Sequence, residues 1–175
     1  MKHRILAIML SVVILLSLSA VCQSTEVSVF LRNQKVMVFD NKTRVFDSHF
    51  SIITDNKTWT WEDITKTFRS IELLDKTRKN YKNGPLRITL KNKQTMDVTG
   101  TIGRYFGKAA AAPPALRFHE MTAAGKQPVQ TIAIQKVAKI VFGKVQLKHN
   151  PKTGTYYPAE LDKDPADGTT LKQVK

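Results

Sequence analysis

The amino-acid sequence predicts a mainly β protein, built from two tandem, related small β modules of barrel or sandwich type after an N-terminal signal peptide. Apolar residues alternate with polar ones in short runs, as at Leu86, Ile88 and Leu90, and a period of two is typical of half-buried strands. Turn-forming residues separate the runs, for example Asn83 to Pro85. Many short strands with a turn about every 8 to 12 residues indicate a sandwich or a small barrel.

Similarity within the sequence predicts the two modules. The segment VFLRNQKVM at 29–37 aligns without gaps with ITLKNKQTM at 88–96, so that Leu31 falls on Leu90. Apolar positions match apolar ones and basic positions match basic ones along this alignment. Self-similarity of this kind is the sequence signature of repeated structural units.

A second match lies further along the chain. FRSIEL at 68–73 has the pattern of VAKIVF at 137–142, which places Ile71 on Ile140. An alternating run precedes each of them, TWTW in the first case and TIAI in the second. We therefore expect both segments to be strands in equivalent positions.

These matches define the expected domain organisation. The first module covers 23–75, a basic connection covers 76–85, and the second module covers 86–148 with an Ala/Pro insertion near 107–115. Residues 149–175 contain three prolines and few aliphatic side chains. A segment of this composition buries too little apolar surface to offset its ordering entropy, so we expect a polar, loosely held tail.

The segment 63–75 allows two interpretations. Ile64, Phe68, Ile71 and Leu74 have helical spacing, and Asp63 would then be the N-cap. The counterpart segment in the second module is too short for a helix, which favours a turn followed by a strand in both copies. A single short helix at 63–75 is the alternative.

Residues 1–22 have the layout of a signal peptide. Lys2 and Arg4 precede an apolar run at 5–18, and small residues follow it; this order of regions is typical of secretory signals. The run is shorter than the roughly 20 residues of a transmembrane helix. We expect export to the periplasm, the cell envelope or the extracellular space. Cys22 is either removed with the signal or becomes the lipidated first residue, which would attach the protein to a membrane.

The chain is strongly basic, with a formal net charge of +14 at pH 7. A surface of one sign attracts polyanions and speeds their encounter. The densest cationic cluster lies in the connection between the modules, and its members are the predicted partner-binding residues: Lys76, Arg78, Lys79 and Lys82. Candidate partners are an anionic envelope polymer, lipid headgroups or an acidic protein. Nucleic acid fits the charge but not the expected location.

Catalytic and metal-binding motifs are not found in the sequence. Cys22 is the only cysteine, and His49, His119 and His149 are scattered; His119 lacks the second histidine four positions later that a zinc-protease motif requires. Trp59 and Trp61 match Ile132 and Ile134 of the second copy, which favours a core role over a stacking platform.

We therefore expect neither a cofactor nor a metal, and a non-catalytic binding or structural function. The alternative is a hydrolase whose site is assembled from dispersed carboxylates and histidines.

Overall fold

The computed structural model describes residues 26–40, 42–54, 56–75, 84–105, 110–111 and 115–174. The predicted signal peptide and most of the basic connection lie outside these ranges. Within them the chain is mainly β, with one short α-helix. The strands are β1 Val27–Leu31, β2 Val36–Phe39, β3 Arg44–Phe46, β4 Phe50–Thr54, β5 Thr58–Trp59, β6 Phe68–Leu73, β7 Gly84–Leu90, β8 Thr95–Tyr105, β9 Ala110–Ala111, β10 Ala115–Thr122, β11 Gly125–Ala133, β12 Val137–Phe142, β13 Leu147–His149, β14 Tyr156–Pro158 and β15 Lys172–Gln173. Helix α1 covers Trp61–Thr67, and a 3-10 turn covers Ile134–Lys136.

The strands form two antiparallel sheets in a sandwich-like arrangement. The large sheet has the order β15-β13-β14-β2-β1-β12-β6-β7-β8-β4-β5, with β9 added beside β8. The small sheet has the order β11-β10-β3. The expected fold class, mainly β and sandwich-like, is confirmed.

The centre of the large sheet is the pairing of β6 with β12. Ile71 lies directly opposite Ile140, Val29 of β1 lies opposite Ile140, and Ile88 of β7 lies opposite Ile71. All four side chains in this row are 0% exposed. Because alternate residues of a strand point to opposite faces, this row fixes which side chains of the four strands face the core.

The hairpins on either side of this centre have the same turn. In the β1–β2 hairpin, Gln34 has φ 68° and its N–H donates to the carbonyl of Leu31 at 3.0 Å. In the β7–β8 hairpin, Lys93 has φ 72° and its N–H donates to the carbonyl of Leu90 at 3.0 Å. Both turns thus place a side chain in the left-handed region, which residues other than glycine seldom occupy.

Aromatic rings fill the space between the two sheets. Phe39 of β2 makes edge-on contacts with Phe46 and Phe118 of the small sheet, each with ring centroids 5.2 Å apart. Phe46 and Phe118 are themselves opposite one another in the β3–β10 pairing. Trp61 stacks on Phe46 at 5.5 Å. Trp59 is half-buried and lies 5.1 Å from Phe68, so both tryptophans pack against the core as expected.

The favoured turn followed by a strand is found in the second segment, at 134–142, but not in the first, where the alternative, a short helix, is present. Helix α1 is shorter than the predicted 63–75 and begins earlier. Thr60 is the N-cap, and its backbone N–H donates to Asp63 Oδ2 at 3.0 Å while its hydroxyl accepts the N–H of Asp63. Asp63 therefore completes a capping box instead of being the cap itself. The helix ends at Thr67 because Phe68 is already extended and buried in β6.

The C-terminal residues differ from the expected loose tail, since β14 and β15 belong to the large sheet. Tyr157 and Leu171 are buried hydrophobic residues. Asn150 and Asp164 are buried as well, and Asn150 Nδ2 donates to Asp164 Oδ2 at 2.6 Å. Burial, together with a hydrogen bond to Asp164, raises the pKa of Tyr157 to about 12. The low aliphatic content of 149–175 did not predict this ordered structure, because hydrogen-bonded polar groups stabilise much of the segment.

Two matching loops build this polar centre. The N–H of Gly154 donates to the carbonyl of Asn150 at 2.8 Å, and the N–H of Gly168 donates to that of Asp164 at 2.9 Å. Both glycines have positive φ, 70° and 71°, a conformation that glycine adopts without a steric penalty. The sequences NPKTG and DPADG at these loops therefore place Asn150 and Asp164 in equivalent positions, side by side.

The central row predicts a face-dependent loss of stability. Ile140→Ala should lower the free energy of unfolding by about 2–5 kcal/mol, because it leaves a cavity beside Ile71 and Val29. Val141→Ala, on the outward face of the same strand, should cost clearly less. Urea denaturation of the two variants compares them, and equal losses would contradict the assignment of faces.

Candidate functional site

The predicted partner-binding residues Lys76, Arg78, Lys79 and Lys82 lie outside the described residues. Asp75 is the last described residue before this connection, and its carbonyl accepts from the guanidinium of Arg32 at 2.7 Å. The same guanidinium donates to the carbonyl of Leu73 at 3.3 Å. The partner-binding role of the four cations remains a prediction.

A groove on the outer face of the large sheet is the first candidate site. It has a volume of about 530 Å³. Three cations line it, Arg69 of β6, Lys139 of β12 and Lys144 of the loop that follows, together with one carboxylate, Glu160. Phe30, Val141 and Val145 supply apolar surface. We call this the basic groove.

Strand register positions the basic groove. Ile140 points into the core, so its neighbours Lys139 and Val141 point to the outer face. Phe30 is opposite Lys139 in the β1–β12 pairing, and Ser70 is opposite Val141 in the β6–β12 pairing. The groove floor therefore combines side chains of three adjacent strands.

Arg87, on the strand next to the groove, is paired with a carboxylate. Arg87 makes two hydrogen bonds to Asp97, from Nε at 2.8 Å and from a terminal nitrogen at 2.9 Å. These bonds raise the pKa of Arg87 and lower that of Asp97. Among the described residues, none gives the side chains of the three groove cations a hydrogen bond or an ion pair. The groove therefore presents cationic groups that a ligand can use.

A smaller pocket, of about 230 Å³, is the second candidate site. It lies where β3, β8, β10 and β11 meet and holds six ionisable side chains that are far apart in sequence: Asp47, His49, Arg104, Arg117, His119 and Lys126. We call it the histidine pocket. His149 lies elsewhere, in β13.

Asp47 organises one wall of the histidine pocket. Its carboxylate accepts from Arg104 Nε at 2.5 Å and lies 3.0 Å from His49 Nδ1. Burial alone would raise the pKa of Asp47, but hydrogen bonds from the backbone N–H of His49 and from the Arg104 and His49 side chains lower it below 3.8. Asp47 is therefore ionised at neutral pH, and its carboxylate oxygens already accept hydrogen bonds from Arg104 and His49. It is poorly suited to act as a general acid.

His119 has a defined tautomer when neutral. Its Nδ1 lies 3.0 Å from the carbonyl oxygen of Gln127. A carbonyl oxygen only accepts, so Nδ1 carries the proton and Nε2 keeps its lone pair. Val45 and Val129 are the opposite residues on the two neighbouring strands, which gives the pocket an apolar floor around the imidazole.

Sequence reasoning treated the histidines as scattered and did not single out Asp47, Arg104 or Arg117. The distances in sequence explain this, because the pocket depends on the pairing of β3 with β10 and of β4 with β8. The one local signal that the sequence contains is the spacing of Asp47 and His49, since an aspartate commonly bonds the backbone two residues later in a turn.

No group of three or more His, Cys, Asp or Glu side chains in the described ranges could hold a metal ion. No helix in the same ranges has the length and apolar character needed to cross a membrane. No protein-family model matches the chain, and neither a curated protein nor a solved structure matches it at a significant level.

Asp47→Asn should flatten the acid dependence of stability. The pKa of Asp47 is lower in the folded state than its ordinary value of 3.8, so its stabilising contribution is present above that value and is lost as pH falls through the folded-state pKa. Urea denaturation at pH 7, 4 and 2 should show the gap in unfolding free energy between wild type and variant shrinking with acidification. A constant gap would contradict this role of the ionised carboxylate.

Proposed function

We propose that the protein is an exported, non-catalytic envelope protein whose basic groove binds an acidic partner. The observation that carries the proposal is the convergence of Arg69, Lys139 and Lys144 on one groove, where none of the three forms an ion pair with a described residue. Glu72 lies opposite Lys139 on the same face but is not bonded to it. Arg69 and Lys144 are exposed and Lys139 is half-buried, so a polyanion can reach all three cations and bond them at once. The single carboxylate among the described residues that line the groove, Glu160, leaves it with an excess of positive charge.

An extended anionic polymer fits this groove better than a small ion. The cations come from two strands and a loop, and apolar side chains lie between them. A polymer with repeated carboxylate or phosphate groups can meet several cations at once while its carbon skeleton lies on Phe30 and Val141. Lipid headgroups and an acidic protein share this chemistry and are the other candidate partners.

We also propose that the chain arose from a duplication and is exported by residues 1–22. The equivalent turns after Leu31 and Leu90 support the first proposal. The cationic start and the apolar run at 5–18 support the second. Export places the basic groove among the anionic polymers and lipids of an envelope.

A hydrolase is the second candidate function. The histidine pocket favours it, because two histidines and an aspartate meet there. The commitment of Asp47 to Arg104 and His49 counts against it. Hydrolysis of ester or phosphoester test substrates that is lost in both His49→Ala and His119→Ala would support an enzyme over a binding protein.

Neutralising the groove should weaken binding to an anionic matrix. The triple variant Arg69→Gln, Lys139→Gln and Lys144→Gln should elute from a sulfated polysaccharide column at lower salt. Its slope of log affinity against log salt should fall by about 2 to 3, since each lost contact releases one fewer counterion.

The matched control removes the same charge elsewhere. Lys152, Lys163 and Lys172 are exposed in the C-terminal segment, and their triple Gln variant should elute near the parent. Elution of both triple variants at the same reduced salt would mean that net charge alone governs retention, and would contradict a groove site.

The connection is tested separately. Replacing Lys76, Arg78, Lys79 and Lys82 with Gln should change thermal stability little, because exposed charges contribute only about 0–1 kcal/mol each. The same variant should flatten the salt dependence of binding if the connection also meets the partner. Elution at the parent's salt would remove the connection from the binding surface and leave the basic groove alone.

A further inference from the structure

Arg117 lines the histidine pocket and has no anionic partner among the described residues. Its side chain is half-buried on β10. Among the described residues, its guanidinium makes neither a hydrogen bond nor an ion pair. A guanidinium has five donors in a planar fork that matches an oxyanion. A half-buried, unpaired fork is therefore an incomplete interaction that a bound anion would complete.

Asp47, the carboxylate among the residues that line the pocket, does not supply that anion. The carboxylate of Asp47 already bonds Arg104 and His49. Its negative charge is therefore balanced by Arg104 and is not available to Arg117. Lys126 adds a second cation, also without a partner among the described residues. With the Asp47–Arg104 pair neutral, the lining keeps two positive charges for a ligand.

His119 places a further requirement on the ligand, in addition to the negative charge that the cations require. With Nδ1 bound to the carbonyl of Gln127, the neutral imidazole presents Nε2 as an acceptor. Within the described part of the chain Nε2 has no hydrogen-bond partner. A ligand that fits the pocket therefore carries negative oxygens for Arg117 and Lys126 and also one O–H donor.

We propose that the histidine pocket binds inorganic phosphate as hydrogenphosphate. Arg117 and Lys126 bond its anionic oxygens, and His119 Nε2 accepts the hydrogen bond of its protonated oxygen. Sulfate has the same shape and charge but no O–H at neutral pH, so it leaves Nε2 unpaired. The pocket volume of about 230 Å³ accommodates an ion of this size with water.

Isothermal titration of the full-length protein at pH 8, where free imidazole is neutral, tests this assignment. Phosphate should bind roughly 3- to 10-fold more tightly than sulfate, the factor expected for one hydrogen bond. His119→Phe should bind the two ions equally. Equal affinities in the wild type, or no binding of either ion, would overturn the proposal.

Two further variants separate the site from general charge. Arg117→Gln should weaken phosphate binding at least about 10-fold, because charge-assisted hydrogen bonds are lost, and Arg117→Lys should restore part of it. Lys163→Gln removes one exposed charge far from the pocket in sequence and should leave the affinity within about twofold. Equal weakening by Arg117→Gln and Lys163→Gln would overturn the proposal.

A phosphate ester distinguishes the free ion from a headgroup. The dianion of glycerol 3-phosphate has no P–O–H group and should bind no more tightly than sulfate. Tighter binding than inorganic phosphate would overturn the assignment to the free ion. The groove triple variant should keep its phosphate affinity, so this proposal and the proposed function fail independently.

Discussion

The pairing of β6 with β12 is the constraint on which the rest of the structure depends. Ile71 opposite Ile140 joins the β7–β8 hairpin to the β1–β2 hairpin in one sheet. Because side chains alternate along a strand, a slip of one residue would exchange Ile140 with Lys139. The register that buries the core row therefore also places Lys139 and Val141 on the outer face. Core packing and the basic groove are two consequences of one pairing.

The ion pairs distinguish two groups of cations: those already paired with a carboxylate of the protein, and those that a ligand can bind. Arg87 is paired with Asp97, and Arg104 with Asp47, so these arginines are already neutralised. The cations of the basic groove and Arg117 have no such partners in the described ranges. A strongly basic chain can bind an anion at a specific place only where its own acids leave cations unpaired. The two candidate sites meet that condition at different scales, a groove for a polymer and a pocket for an ion.

The sequence predicted what depends on local pattern. Alternation at Leu86, Ile88 and Leu90 gave the mainly β fold, and a core role for the tryptophans followed from their match with Ile132 and Ile134. The start of α1 at Trp61 depends on the capping box between Thr60 and Asp63, which the helical spacing of the later apolar residues does not indicate. The C-terminal order was missed because its burial depends on Asn150 bonding a carboxylate rather than on aliphatic packing. The histidine pocket could not be predicted, since it exists only once distant strands pair.

The most direct test of the central claim is a chemical-shift titration of the isotope-labelled protein with an anionic polysaccharide at increasing salt. The account predicts that the largest changes map to Arg69, Lys139 and the segment 144–146, and that they disappear together as salt rises. Changes scattered over all exposed cations would contradict a specific groove. So would changes confined to the C-terminal lysines.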